Sequence, residues 1–282
     1  MLFLNGELVD SQDQIINFQD RAFHYGDGVF ETLRIHRGEI PTWPFHFERL
    51  LSAQKKLKLP LENFFSDWKQ FVDTHLHNIK SGCAKLVISR GIGPRGYRPP
   101  DPATINWWVQ ISDLPESIVC NERKTNEQEG KQLTVCSHRL SRQPAFAGLK
   151  HLNRLDQVIA RSEWGDLSEF DEGIMFNLDG HVIEGTMSNI FWLEGQQIYT
   201  PNLSFEGVDG CVRRWIIKHK LASHNPVKIL EAVSLNRILS ADAVFISNSL
   251  SGIQSVARIQ DASIPISTLV SKLAIEFNGY YA

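Results

Sequence analysis

The stretch LVISRGIGPRGYRPPDP, residues 86–102, sets three glycines in G-x-G-x-x-G spacing (Gly91, Gly93, Gly96) directly after an apolar strand read over Ala84 to Ser89. Such glycines bind a dinucleotide only when they turn the strand into a helix whose N-terminal amides receive a pyrophosphate. Here Pro94, Pro99, Pro100 and Pro102 close that route. Each removes an amide donor and biases the preceding residue away from helical angles. The chain must instead form a loop carrying Arg90, Arg95, Tyr97 and Arg98, side chains that suit either an anionic ligand or a solvated turn.

With 282 residues, 42% hydrophobic and 22% charged, the composition is that of a globular protein large enough for two modest domains. A formal net charge of −3 offers no electrostatic argument for nucleic acid or an anionic membrane. A small molecule is the expected partner. MLFLNGELVD lacks the basic flank of a secretory signal, and no apolar run reaches the roughly 20 residues of a membrane span, so a cytoplasmic protein is expected. Cys83, Cys120, Cys136 and Cys211 are too scattered for a zinc site or a disulfide framework and read as free thiols. No metal site is expected.

Asn5-Gly6 between short apolar segments predicts a hairpin. GDGVFETLRIHRGEIPTW reads as two strands about Arg37-Gly38. Phe47, Leu50, Leu51 and Leu57 recur at helical spacing behind Pro44, and a second amphipathic helix over LENFFSDWKQFVDTHLHNIK is expected to end at Ser81-Gly82. CAKLVIS and ATINWWVQIS read as strands. Apolar periodicity then fades in DLPESIVCNERKTNEQEGKQ, which predicts a linker and places a boundary near Leu114. The reading is α+β: a smaller N-terminal domain, 1–113, and a larger C-terminal domain, 114–282. In the latter LTVCSHRL, GIMFNL, HVIEGTMSNIFWLEG, QIYTP, ADAVFISNS and QSVARIQ read as strands. LNRLDQVIARSEW, CVRRWIIKHKLAS and SKLAIEF read as helices.

Three features of the second half are unusual together. Lys150 sits between a turn at Gly148 and a helix, Glu184 ends an apolar strand before a polar turn, and Asp209-Gly210-Cys211 opens a helix. An amine, a carboxylate and a phosphate seat are what pyridoxal 5′-phosphate requires. Each also has a plain structural reading: a solvated lysine, a salt-bridged glutamate, a chain reversal.

The ordered stretches LNGELV, DRAFHYGDGVFETLRI, HFERL, SRGIGPRGY, RLSRQPAFAGLKHLNRLDQVIAR, EGIMFNLDGHVIEGTMSNIF, GVDGCVRR and FISNSLSGI resemble the fold-type IV pyridoxal-phosphate enzymes along nearly the whole chain. That class contains branched-chain and D-amino acid aminotransferases and the 4-amino-4-deoxychorismate lyases. The resemblance implies a smaller α/β sandwich plus a larger, mostly β domain with flanking helices. It makes Lys150 the Schiff-base lysine and Glu184 the partner of the pyridine nitrogen. It assigns Arg49, the amides of Cys211 and Val212, and the loop of Asn248 and Ser249 to the phosphate, and places Asn153 beside the lysine.

Within the class, RLSRQPAFAGLKHLNRL and SRGIGPRGY are most similar to the lyase branch. Thr32 stands where branched-chain aminotransferases usually carry glycine, and in the lyase pattern it faces the cofactor and assists proton transfer. Glu31 is common in aminotransferase relatives and leaves transamination, on D- or branched-chain amino acids, as the alternative. The implied reaction converts aminodeoxychorismate to 4-aminobenzoate and pyruvate in folate biosynthesis, with Arg95 and Tyr97 expected to meet the substrate's carboxylates. The resemblance also implies a homodimer.

Overall fold

The computed structural model describes residues 1–10, 16–115, 118, 130–165, 168–221 and 225–281. Cys120 and most of the expected linker lie outside the described residues. The chain packs as two compact units, Met1–Val119 with Leu149–Asn153, and Cys120–Gly148 with Arg154–Ala282. The sequence reading put everything beyond 114 in one domain. Leu149–Asn153 instead packs with the first unit, because Leu149 joins its core and the backbone of this segment pairs with a strand there.

In the first unit, β1 (Leu2–Leu4) and β2 (Glu7–Val9) form the expected hairpin, with Asn5 at φ 50° and Gly6 at φ 91°. A short helix α1 (Arg21–Tyr25) precedes β3 (Gly28–His36). No second strand follows the Arg37-Gly38 turn. Only a His36–Glu39 bridge forms before α2 (Trp43–Leu57), with Pro44 in its first turn. The left-handed Lys58 ends α2, and Arg90 caps it by donating to the carbonyls of Leu57 and Lys58. α3 (Glu62–His75) stops before Ser81-Gly82, which open β4 (Ser81–Ser89). With β5 (Asn106–Ser112) these strands make an antiparallel sheet ordered β2-β1-β5-β4-β3.

Strand alternation sends Val29, Leu33 and Ile35 of β3 toward the core with Leu50 and Ala53 of α2 and Phe64, Trp68 and Phe71 of α3. Trp68 stacks on Trp43 and Phe71 at 5.2 and 5.4 Å between ring centres. Each such buried aromatic contributes about 1.5–3 kcal/mol. Phe30 and Thr32 therefore project from the opposite face of β3, the outer strand.

The second unit runs β6 (Lys131–Leu140), α4 (Leu155–Arg161), β7 (Glu172–Asn177), β8 (Val182–Gly185), β9 (Asn189–Glu194) and β10 (Gln197–Pro201). It continues through α5 (Cys211–Leu221), β11 (Lys228–Leu230), α6 (Leu235–Leu239), β12 (Ala243–Asn248), β13 (Gly252–Ile259), β14 (Ala262–Ser263) and α7 (Thr268–Asn278). The sheet order among the described residues is β11-β10-β9-β12-β13-β6-β7-β8, with β14 on β13. Within HVIEGTMSNIFWLEG the polar turn expected after Glu184 forms over Thr186–Ser188 and separates β8 from β9.

Among the described cysteines, Cys83, Cys136 and Cys211 are free thiols, as expected. Burial first, then the nearby carboxylates of Glu163 and Glu172, pushes the Cys136 thiol up to about 12, which keeps it an unreactive core residue.

Candidate active site

The residues assigned to the cofactor fall into two groups, one in each compact unit. In the first, the Lys150 segment runs beside the start of β3. The Phe30 amide donates to the Lys150 carbonyl at 2.9 Å, the Leu152 amide donates to the Gly28 carbonyl at 3.0 Å, and His151 bridges Val29. This pairing sets Lys150 opposite Phe30, and Lys150 Nζ lies 4.4 Å from the centre of the Phe30 ring. Thr32 follows two residues later on the same strand face, half-buried like Lys150. Asn153 is exposed and donates through Nδ2 to the Gly26 carbonyl at 3.1 Å, which ties the end of the lysine segment to the turn before β3.

Arg49 lies on the core side of β3 in a buried ionic cluster. Its Nε donates to Glu31 Oε1 at 2.8 Å and its Nη2 to Glu31 Oε2, which also receives His46 Nδ1 at 2.7 Å. Glu31, His46 and Arg49 expose 1%, 0% and 4% of their side chains. Burial alone would raise the Glu31 pKa. The charges of Arg49 and His46, and the hydrogen bonds from both, outweigh it and hold the carboxyl at about 2.

The folded value is thus depressed below the ordinary 4.5. Glu31 contributes stability that is present above that ordinary value and is lost as pH falls through the folded one. Acid titration between about pH 4.5 and 2 is expected to destabilise the protein more steeply than a Glu31→Gln variant. Urea midpoints measured across that window check this.

Arg95 and Tyr97 are exposed on the glycine-rich loop, as sequence reasoning placed them, and no helix follows its glycines. A Cβ on Gly91, whose φ is 80°, would overlap the Thr104 carbonyl. What holds the loop was not read from the sequence. The buried Arg21 donates through Nη1 to the carbonyls of Gly96 and Arg98 (3.1 and 3.4 Å) and through Nη2 to that of Tyr97 (3.0 Å). Its Nε holds Asp27 at 2.8 Å, beside Arg90 at the same distance.

In the second unit Glu184 is buried at the end of β8, and its Oε2 accepts from the Val208 amide at 2.7 Å. Asn189, at the start of β9, holds the same loop twice. Its Nδ2 donates to the Val208 carbonyl at 2.8 Å, and its Oδ1 accepts from the Gly210 amide at 3.1 Å. A Cβ on Gly210 would overlap that Oδ1, so a larger residue there would force the Asn189 side chain to shift. The loop leads into α5, where the side chains of Cys211 and Val212 are buried and their amides belong to the first turn, which has no intrahelical acceptors. Asp209 pairs with Arg213 and Arg214 at 2.7 and 2.9 Å.

Asn248 Oδ1 accepts from the amides of Leu250 and Ser251 (3.1 and 2.8 Å), so this oxygen shapes the loop that Ser249 occupies. The adjacent Ser247 pairs across the sheet with Asn189 and buries a hydroxyl that has no hydrogen-bond partner among the described residues. Sequence reasoning also missed Glu172. Its carboxylate accepts from the amides of Gly173, Thr186 and Met187 and from the hydroxyls of Thr186 and Ser188, which fixes the turn after Glu184.

Taken one unit at a time, the residues fit parts of a phosphorylated pyridine aldehyde. The first unit has an amine that suits the carbonyl carbon. The second has a buried carboxylate that suits a ring nitrogen, and helix-start amides near a buried hydroxyl that suit an oxyanion.

Both units adopt the fold-type IV architecture, and the chain belongs to the amino-transferase class IV family, matched over residues 28–259. It is 34% identical to the aminodeoxychorismate lyase of Vibrio harveyi across 92% of this chain and 93% of that one. It is 32% identical to the aminodeoxychorismate lyase of Bacillus subtilis across 93% and 88%. The crystal structure of 4-amino-4-deoxychorismate lyase from Pseudomonas aeruginosa superposes with a TM-score of 0.87 at 32% identity, covering 99% of this chain and 98% of that one.

Proposed function

We propose that this chain is a pyridoxal 5′-phosphate-dependent lyase that converts 4-amino-4-deoxychorismate to 4-aminobenzoate and pyruvate, a step of folate synthesis. The observation that carries the reading is the placement of Thr32 on the same strand face as Lys150. It puts a hydroxyl on the face that carries the amine, a proton carrier that an elimination uses on its leaving group.

Lys150 holds the cofactor, Glu184 pairs with its ring nitrogen, and Asn153 flanks the lysine. The phosphate is held by Arg49, the amides of Cys211 and Val212, and the loop of Asn248 and Ser249. When bound, the cofactor supplies an electron sink that acidifies the hydrogen on the amine-bearing carbon. Lys150 Nζ takes that proton. The carbon–oxygen bond to the enolpyruvyl group then breaks, and Lys150 Nζ or Thr32 Oγ1 delivers a proton to its methylene carbon. The hydrogen lost from the ring reappears in the pyruvate methyl group, no water enters, and aromatisation drives the reaction. Arg95 and Tyr97 orient the two substrate carboxylates.

Incubation of the cofactor-loaded protein with aminodeoxychorismate is expected to give 4-aminobenzoate and pyruvate in equal amounts. Consumption of 2-oxo acids without either product would establish the alternative, an aminotransferase for D- or branched-chain amino acids, which Glu31 leaves open. Thr32→Val is expected to retain the cofactor and slow turnover about 100-fold. Full activity in that variant would remove Thr32 from the mechanism.

The reading includes a cytoplasmic homodimer. Among the described residues no helix is long and apolar enough to cross a membrane. The exposed apolar side chains Leu155, Val158 and Ile159 on α4 support a covered surface. Sedimentation at micromolar concentration tests the dimer.

A further inference from the structure

We infer that Glu31 is a positioning residue that presets the Arg49 guanidinium to grip a phosphate monoester, a role that rests on Arg49 meeting the cofactor phosphate as proposed above. Glu31 takes the Nε and Nη2 hydrogens, one whole edge of the planar fork. That two-point grip fixes both the plane and the rotation of the guanidinium, and turns the Nη1 edge away from Glu31. His46 Nδ1 holds Glu31 Oε2 from its own side, so the carboxylate is itself pinned. An ionised carboxylate only accepts hydrogen bonds, which makes Nδ1 the protonated nitrogen of His46.

The spacing on α2 builds this arrangement. His46 and Arg49 stand three residues apart on one helix face, and Glu31 projects between them from β3. All three side chains are buried in the core-facing layer. A buried ion pair is weak evidence for stability, because desolvation offsets most of its Coulombic gain. What it does supply is a single orientation for a side chain with many rotamers. The guanidinium is thereby organised before any ligand arrives, and an anion binding to it loses less conformational freedom.

Glu31 therefore governs preference for the phosphorylated cofactor and leaves the aldehyde end untouched. The test compares pyridoxal 5′-phosphate with pyridoxal, which lacks the phosphate. Both bind Lys150 through the same aldehyde, so the ratio of their dissociation constants isolates the phosphate contact. Full-length protein stripped of cofactor is titrated with each compound and followed by tryptophan fluorescence, for the unsubstituted chain and for Glu31→Gln, Arg49→Gln and the double variant.

Glu31→Gln is expected to weaken pyridoxal phosphate roughly tenfold while leaving pyridoxal unchanged. The double variant should lose no more phosphate preference than Arg49→Gln alone, since Glu31 acts through Arg49. Glu31→Asp keeps the anion but withdraws it by one methylene and gives the same comparison should Glu31→Gln not fold. Equal weakening of both compounds would show a merely structural role and overturn the inference. An unchanged ratio in Glu31→Gln beside a collapsed ratio in Arg49→Gln would overturn it too, with Arg49's assignment intact. An unchanged ratio in both variants would overturn the assignment of Arg49 to the phosphate, and the inference with it.

Discussion

Lys150→Ala is expected to retain no covalently attached cofactor and to lose at least about 10²–10⁴-fold in lyase turnover, the range for removing one positioned acid–base group. In the proposed mechanism two functions meet in this one amine, covalent attachment and proton transfer, so the upper end of that range is the expected one. The fold should not change. The segment is held by backbone bonds between Phe30 and Lys150 and between Leu152 and Gly28, which alanine preserves. The side chain contributes its position over the Phe30 ring, worth about 0.5–2 kcal/mol. An unfolding transition near that of the unsubstituted protein, together with lost activity, therefore assigns the defect to chemistry. Borohydride reduction of the loaded protein followed by peptide mapping should mark Lys150 alone. A Lys150→Ala variant within tenfold of normal turnover would remove the residue from both roles.

The parts of this protein written in local patterns were legible before the structure. Asn5-Gly6 specifies its hairpin because both residues tolerate positive φ, and Pro44 with the apolar repeat specifies α2. Lys150, Glu184 and the start of α5 stood out because each pairs an unusual residue with a turn or helix start. Boundaries were misjudged where tertiary pairing overrides local preference. Ser81-Gly82 reads as a helix stop, yet Ser81 and Gly82 pair with His36 and Ile35 and open β4. The segment at Leu149–Asn153 likewise takes its place from β3, more than a hundred residues earlier.

The supporting polar groups were not legible at all. Glu31 sits within an apolar strand and Glu172 at the head of another, where a glutamate ordinarily reads as solvent-facing. Their partners come from separate elements: His46 and Arg49 on a helix for the first, a turn fourteen to sixteen residues on for the second. Arg21 shows the same limit, since the carbonyls it gathers at 96–98 are some 75 residues away. No spacing rule announces such a partnership.

Glu172 carries the second large effect. Glu172→Ala removes the common acceptor of the Gly173, Thr186 and Met187 amides and of the Thr186 and Ser188 hydroxyls, in a region where Glu172, Thr186 and Ser188 are all buried. Water entering the vacated volume can satisfy some of these donors. Two or three left unsatisfied, at about 1–3 kcal/mol each, give an expected loss of about 3–5 kcal/mol. For a unit of this size that is roughly a 10 °C fall in melting temperature. The damage should spread by a defined route: the turn joins β8 to β9 and so carries both Glu184 and Asn189, which together hold the loop at Val208 and Gly210 before α5. Cofactor retention should therefore fall in Glu172→Ala even at temperatures where the protein remains folded. Glu172→Gln keeps one acceptor oxygen but presents an amide to donors, and is expected to fall between the two. Calorimetry and dialysis of the loaded protein decide the matter, because a melting temperature within about 2 °C of normal would show that the turn stands without its carboxylate.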